Sequence, residues 1–151
     1  MMLYVSIVLL TEFASIPSDH NGGVHGPTGW TYIEIIWGTT IGLALAHYFA
    51  FTIATHGLSQ GRLTGEDRTE ALAEIGGAAL VAVIASIPVI FLPPARQQEV
   101  VPFVLALLVG TIAFGVERSH GHSRKTALIY GVIALVIGLL VVGVKEAVAY
   151  H

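Results

Sequence analysis

The chain of 151 residues contains no cysteine, and charged residues make up only 11% of it. Without cysteine there can be no disulfides, thiolate metal sites or cysteine nucleophiles. Soluble domains usually carry about 25% charged residues, so this chain has too little charge to cover a water-facing surface. Its seven basic residues are scattered, whereas nucleic-acid binding needs a clustered basic face. We therefore expect no nucleic-acid partner.

Common catalytic motifs are also missing. The sequence has no Walker phosphate loop, no HExxH zinc motif and no dinucleotide fingerprint. A haem held by two histidines is disfavoured, because His47 and His56 lie nine residues apart on one predicted helix and cannot both bind the same iron. We therefore expect no catalytic residues and no cofactor.

What the chain does contain is four long apolar stretches, at about residues 30–55, 72–92, 100–116 and 127–144. Each is close to the ~20 residues that an α-helix needs to cross a ~30 Å hydrocarbon core. Hydrophobic residues make up 54% of the sequence, and its mean hydropathy is +0.77. The sequence predicts an all-α, polytopic membrane protein. We expect a four-transmembrane-helix up-down bundle forming a single integral membrane domain over residues 1–151.

Residues 1–16 form an additional apolar segment that includes Glu12. The segment lacks the basic start of a signal peptide, and it is short for a membrane span. A short helix on the outer surface, or a re-entrant helix between the spans, accommodates Glu12 more easily than a fifth span. We therefore expect a surface or re-entrant helix here.

The distribution of basic residues predicts the orientation in the cell membrane. Cytoplasmic loops carry an excess of lysine and arginine. The loops at residues 57–68 and 117–126 hold five of the seven basic residues, whereas the opposite side holds Arg96 and Lys145. We therefore expect these two loops to be cytoplasmic and the carboxy terminus to lie outside.

Small residues recur at the four-residue spacing that lets membrane helices approach closely. Gly38 and Gly42 form a GxxxG motif, and Ala106 with Gly110 and Ala134 with Gly138 repeat the spacing in the third and fourth stretches. Four helices cannot satisfy all of these faces internally, so we expect self-association through glycine and alanine faces within the lipid bilayer. The alternative is that these residues are simply common in membrane helices.

Ionisable residues at membrane depth are costly and often functional. His47 is the deepest, near the middle of the first predicted span. Histidine changes charge near neutral pH, which suits a proton relay or a pH-dependent gate. The alternative is a neutral histidine that bonds to a neighbouring helix.

Another face of the same predicted helix carries a broken polar stripe. Glu34, Tyr48, Thr52 and His56 recur at helical spacing, with Ile41 and Leu45 between the first two. Polar groups along a span can replace the hydration of a permeating ion. The stripe therefore predicts an ion pathway, although Glu34 alone is also typical of an interfacial anchor.

At the cytoplasmic ends, Glu70, Glu74 and Glu117 are candidates for the inner mouth of such a pathway. His120 and His122 follow in the adjacent loop, but their spacing is not that of a zinc site. Asp19, His20 and His25 in the outer loop give no stronger signal. We expect no bound metal.

These patterns favour a small homo-oligomeric channel or transporter that passes protons or small cations. One alternative is a non-catalytic accessory or scaffold subunit of a larger membrane complex. Another is a lipid-modifying enzyme, in which Glu70, Glu74 and Glu117 would converge on a headgroup.

Overall fold

The computed structural model describes residues 1–16, 29–58 and 65–149. Within these ranges the chain is helical and contains no strand. Five helices follow one another: α1 (Met2–Ser15), α2 (Trp30–Leu58), α3 (Gly65–Phe91), α4 (Pro94–Ser119) and α5 (Arg124–Ala149).

The four later helices are long and apolar enough to cross a membrane. The qualifying stretches are Trp30–Ala54, Arg68–Phe91, Glu99–Ser119 and Arg124–Val144. Three of the predicted spans lie within one helix each, and the span predicted for residues 72–92 ends one residue beyond α3. This confirms the prediction of a helical protein with four apolar helices of membrane-spanning length. The membrane orientation stays a prediction.

A pair of prolines separates α3 from α4. Pro93 lacks an N–H, so the Val89 carbonyl loses the donor that a continuing helix would supply. Buried Gln97 replaces it, since its Nε2 donates to the carbonyl oxygens of Val89 at 2.9 Å and Leu92 at 2.8 Å. Its Oε1 accepts from the backbone N–H of Gly29 at 3.0 Å. The Gln97 side chain, near the start of α4, therefore bonds both to the end of α3 and to Gly29, the residue before α2.

The short helix α1 contacts all four long helices. Its buried side is apolar and consists of Val5, Leu9, Leu10 and Phe13 together with Ser6. Phe13 stacks on Tyr32 of α2, with ring centroids 5.1 Å apart. Near the other end of α1, Met1 and Tyr4 share a cleft with residues of α2. The segment is thus a formed helix, and its surface or re-entrant placement in a membrane stays a prediction.

Glycine and alanine bring α4 and α5 together. A Cβ on Gly110 would lie 2.9 Å from the Leu135 Cβ and 3.0 Å from the Gly131 carbonyl oxygen. A Cβ on Gly138 would lie 3.2 Å from the Ala106 Cβ. Ala106, Gly110 and Gly138 were expected at such contacts from the sequence, whereas Gly131 was not. The pairing of 106 with 138 and 110 with 131 makes these two helices antiparallel.

Helix α2 is the least enclosed of the long helices. It contacts α3 and α1, but neither α4 nor α5, within the described ranges. A line of small residues at four-residue spacing runs along its exposed side: Gly38, Gly42, Ala46, Ala50 and Ala54. Among the described residues, no heavy atom lies within 4 Å of a Cβ built on Gly38 or Gly42, apart from the helix's own neighbouring backbone. The GxxxG motif therefore forms no close helix contact within the described part of the chain.

The close contact of α4 with α5 predicts opposite effects for two glycine substitutions on one helix. Gly110→Ala would force Leu135 and the Gly131 backbone apart, and should lower the free energy of unfolding by about 1–3 kcal/mol. Gly115→Ala meets open space and should be neutral or raise it by up to about 1 kcal/mol, because alanine favours helix. Unfolding in mixed micelles measures both. Equal effects of the two substitutions would contradict this packing.

Candidate functional site

The shortest polar contact between two long helices in the described residues joins His47 on α2 to Glu74 on α3. The His47 Nε2 lies 2.5 Å from the Glu74 Oε2. The midpoint of the apolar stretch of α2 is Gly42. His47 lies five residues beyond it, a distance of about 8 Å along the helix axis. The contact therefore lies inside the stretch that would cross the membrane. The sequence singled out both residues but placed Glu74 at the inner mouth rather than beside His47.

The pair is only partly enclosed by its own chain. The side chain of His47 is 45% exposed and that of Glu74 is 31% exposed. A proton between the two atoms is compatible with a carboxylate facing imidazolium or neutral imidazole, and with a carboxylic acid facing neutral imidazole. A hydrogen bond between the two side chains is thus available in more than one protonation state.

A cleft of about 380 Å³ lies beside the pair. Its lining consists of Met1 and Tyr4 from α1 and Leu43, Ala46 and His47 from α2. The volume exceeds that of a few water molecules. Imidazole is therefore reachable from a space between α1 and α2.

A second polar contact ties α1 to α2. The Thr39 hydroxyl donates to the Glu12 Oε2 at 2.7 Å, and Glu12 is half-buried. Thr39 lies three residues before Gly42, on the other side of the midpoint from His47. Glu12 was not among the site residues predicted from the sequence, although a carboxyl in an otherwise apolar segment was the available signal.

Thr40 carries a buried hydroxyl without a hydrogen-bond partner in the described structure. The residue is only 3% exposed. It follows Thr39 directly and shares a helix face with His47, seven residues later. Buried hydroxyls of this kind are commonly satisfied by water, so this position is suited to an internal water molecule.

The predicted polar stripe lies on a different side of α2. Glu34 and Tyr48 are exposed, as are Ile41 and Leu45 between them. The Thr52 hydroxyl donates to the Tyr48 carbonyl oxygen at 2.8 Å, and the side chain of His56 lies outside the described part. Glu34 and His47 are thirteen residues apart, which puts them on different sides of the helix. The structure does not gather these residues around an internal path of the single chain.

At the predicted cytoplasmic ends, the acidic residues have separate surroundings. The Glu117 Oε2 lies 2.7 Å from the His122 Nδ1, and the rings of His120 and His122 lie 6.5 Å apart. Glu70 is exposed. No group of three or more potential metal ligands occurs in the part of the chain that the structure describes. Asp19, His20 and His25 lie outside that part.

A larger cavity of about 590 Å³ lies near the start of α2, against α3. Its lining is apolar except for Ser86, whose hydroxyl donates to the Ala82 carbonyl oxygen. Trp30 and Trp37 contribute the aromatic surface. Without a free charged group among these residues, the cavity offers no chemistry for an ion.

A further short motif lies at the end of α2. Residues 57–61 read Gly-Leu-Ser-Gln-Gly, which matches the spacing of the hydrolase nucleophile elbow. That elbow positions its serine between a strand and a helix. Here the motif starts in the last turn of α2, and Ser59 lies outside the described residues. The spacing alone therefore gives no support to a hydrolase.

No protein-family model, curated protein or solved structure matches the chain.

The His47–Glu74 contact predicts an energetic coupling between the two side chains. In a double-mutant cycle with His47→Ala and Glu74→Ala, we expect a coupling of about 0.6–1.7 kcal/mol, the range for polar pairs between membrane helices. Replacing Glu74→Ala by Glu70→Ala in the cycle provides the control and should give a coupling near zero. Unfolding in mixed micelles supplies the free energies, and equal coupling for the two carboxylates would contradict the contact.

Proposed function

We propose that this chain forms a homo-oligomeric membrane protein that passes protons or small cations across the membrane, with the His47–Glu74 pair as its titratable site. The observation that carries the proposal is the 2.5 Å contact inside the apolar stretch of α2. Ionisable side chains at that depth are costly and are retained mainly along ion pathways and proton relays.

The chemistry of the pair suits proton exchange. Histidine is the side chain that ordinarily changes charge between pH 5 and 8, and a carboxyl within hydrogen-bond distance can share its proton. The adjacent cleft gives water a way to reach the imidazole. Glu70 and Glu117 would then form the inner mouth, in an up-down bundle whose loops at 57–68 and 117–126 face the cytoplasm.

The oligomer in this proposal forms through the exposed side of α2. Close approach of membrane helices relies on small residues, and the line from Gly38 to Ala54 is exposed. A second copy there would also cover part of the Glu34 and Tyr48 stripe. The stripe would then lie between copies rather than against lipid.

The same exposed side of α2 favours one alternative, a non-catalytic accessory or scaffold subunit that docks a larger membrane complex. A lipid-modifying enzyme gains no such support. Its carboxylates would need to converge on a headgroup, whereas Glu74 contacts His47 and Glu117 contacts His122.

Ion flux through reconstituted protein tests the main proposal. In liposomes with a pH or cation gradient, His47→Ala and Glu74→Gln should each lower the flux by about tenfold or more, because a positioned acid–base group is lost. Glu99→Gln changes an exposed carboxyl on α4 in the same way and should leave the flux unchanged. A folded wild-type oligomer with no flux above empty liposomes would favour the accessory subunit instead.

Self-association is tested separately with two matched glycine substitutions. Gly42→Leu places a large side chain on the exposed line of α2, and should convert the oligomer to monomer because the helices can no longer approach closely. Gly143→Leu puts the same side chain into open space on α5 and should leave the assembly intact. Light scattering after size-exclusion chromatography gives the mass. An unchanged assembly in Gly42→Leu would exclude this face as the contact.

A further inference from the structure

We infer that the transported species is the proton and that Glu12 on α1 is a second proton-carrying carboxyl, in series with the His47–Glu74 pair. This inference rests on the proposed function. It assigns a role to α1, which contacts all four long helices, and to the Thr39 hydroxyl that bonds to Glu12 at 2.7 Å.

The two titratable sites lie on either side of the middle of α2. Thr39, which holds Glu12, is three residues before Gly42, and His47 is five residues after it. Eight residues of helix separate them, or about 12 Å. Neither site alone reaches across the membrane, but together they cover its central part.

The Glu12 carboxylate accepts a hydrogen bond from the Thr39 hydroxyl of α2. In the described structure no ion pair joins Glu12 to a basic side chain. Arg68 and Arg96 are exposed at the starts of their helices, and His47 contacts Glu74 instead. An uncompensated carboxylate in apolar surroundings is costly, whereas the protonated acid is neutral. The Thr39 hydroxyl serves both forms, because it can donate to a carboxylate or accept from a carboxylic acid.

Water is the carrier between the two sites. The Thr40 hydroxyl is 3% exposed and has no partner in the described structure, which marks a position for a bound water one residue after Thr39, on the helix face that carries His47. The cleft of about 380 Å³ adjoins His47 at the other end. The proton leaves the Glu12 carboxyl for a water molecule, and a water in turn protonates the His47–Glu74 pair. Glu12 is left as a carboxylate bonded to Thr39 until it takes up another proton.

The same groups are poor ligands for a metal cation. A dehydrated cation needs several oxygen ligands at once to replace its hydration shell. Between Glu12 and His47 the α2 face offers Thr40 followed by Leu43 and Ala44, and the next site presents an imidazole nitrogen. A proton needs only one donor and one acceptor at each step, so this spacing is suited to protons.

The test uses the full chain in liposomes that contain a trapped pH-sensitive dye. Glu12→Gln keeps the size of the side chain and an oxygen that accepts from Thr39, but it cannot release a proton. We expect proton flux in this variant to fall at least tenfold, close to that of empty liposomes, while Glu99→Gln retains the wild-type flux. Potassium flux, measured with a potassium dye in parallel, should not exceed the empty-liposome rate for the wild type.

The outcomes separate this inference from the proposed function. If the wild type conducts protons and His47→Ala stops them but Glu12→Gln does not, the role of Glu12 is wrong and the proposed function stands. If the wild type passes potassium and Glu12→Gln abolishes that flux, the path is a cation path and the inference fails. A wild type without any ion flux overturns both.

A direct measurement guards against a variant that fails to fold. In infrared difference spectra of the purified protein, taken across a pH titration, the carboxylic-acid band should lose a component in Glu12→Gln. Its frequency should differ from that of the component lost in Glu99→Gln, because Glu12 bonds to Thr39 whereas Glu99 is exposed. A band that persists unchanged in a folded Glu12→Gln protein would overturn the assignment.

Discussion

A polar group inside hydrocarbon has no water to bond, so it must find its partner within the protein. In this chain that requirement falls mainly on α2, which packs along α3 and α1 in the described ranges. Three polar contacts hold it at three depths: Gly29 to Gln97, Thr39 to Glu12, and His47 to Glu74. Two of the three involve a titratable side chain. Side-chain hydrogen bonds therefore attach α2 to its neighbours at several points along its length.

The rest of the bundle is held by a different kind of contact. Helices α4 and α5 meet through glycine and alanine at distances that leave no room for a Cβ on Gly110, and close packing of this kind does not depend on pH. The packed pair and the apolar side of α1 form a fixed frame. Against this frame, α2 presents both the exposed line of small residues and the contacts with titratable side chains. A second copy bound to that line would therefore contact the same helix that bears these contacts.

Much of this arrangement could be predicted from the sequence, because hydropathy and length define a membrane helix without knowledge of its neighbours. The small-residue spacing likewise identified Ala106, Gly110 and Gly138. It could not show that Gly38 and Gly42 face outward, since the spacing is the same for an internal and an external contact. The His47–Glu74 contact depends on the rotation and depth of α2 relative to α3. Gln97 was missed because a glutamine after two prolines is equally typical of a solvated turn.

The partial exposure of His47 and Glu74 bears on what surrounds the chain. The side chains are 45% and 31% exposed. In a monomer, part of this ionisable pair would therefore lie against lipid, which provides no hydrogen bonds to it. The exposed line of small residues on α2 includes Ala46, next to His47 in sequence. A copy or partner bound there would therefore come close to the pair. If a second copy covers the pair, the arrangement favours a proton path between copies. If another protein covers it, the same pair would be a buried contact of an accessory subunit.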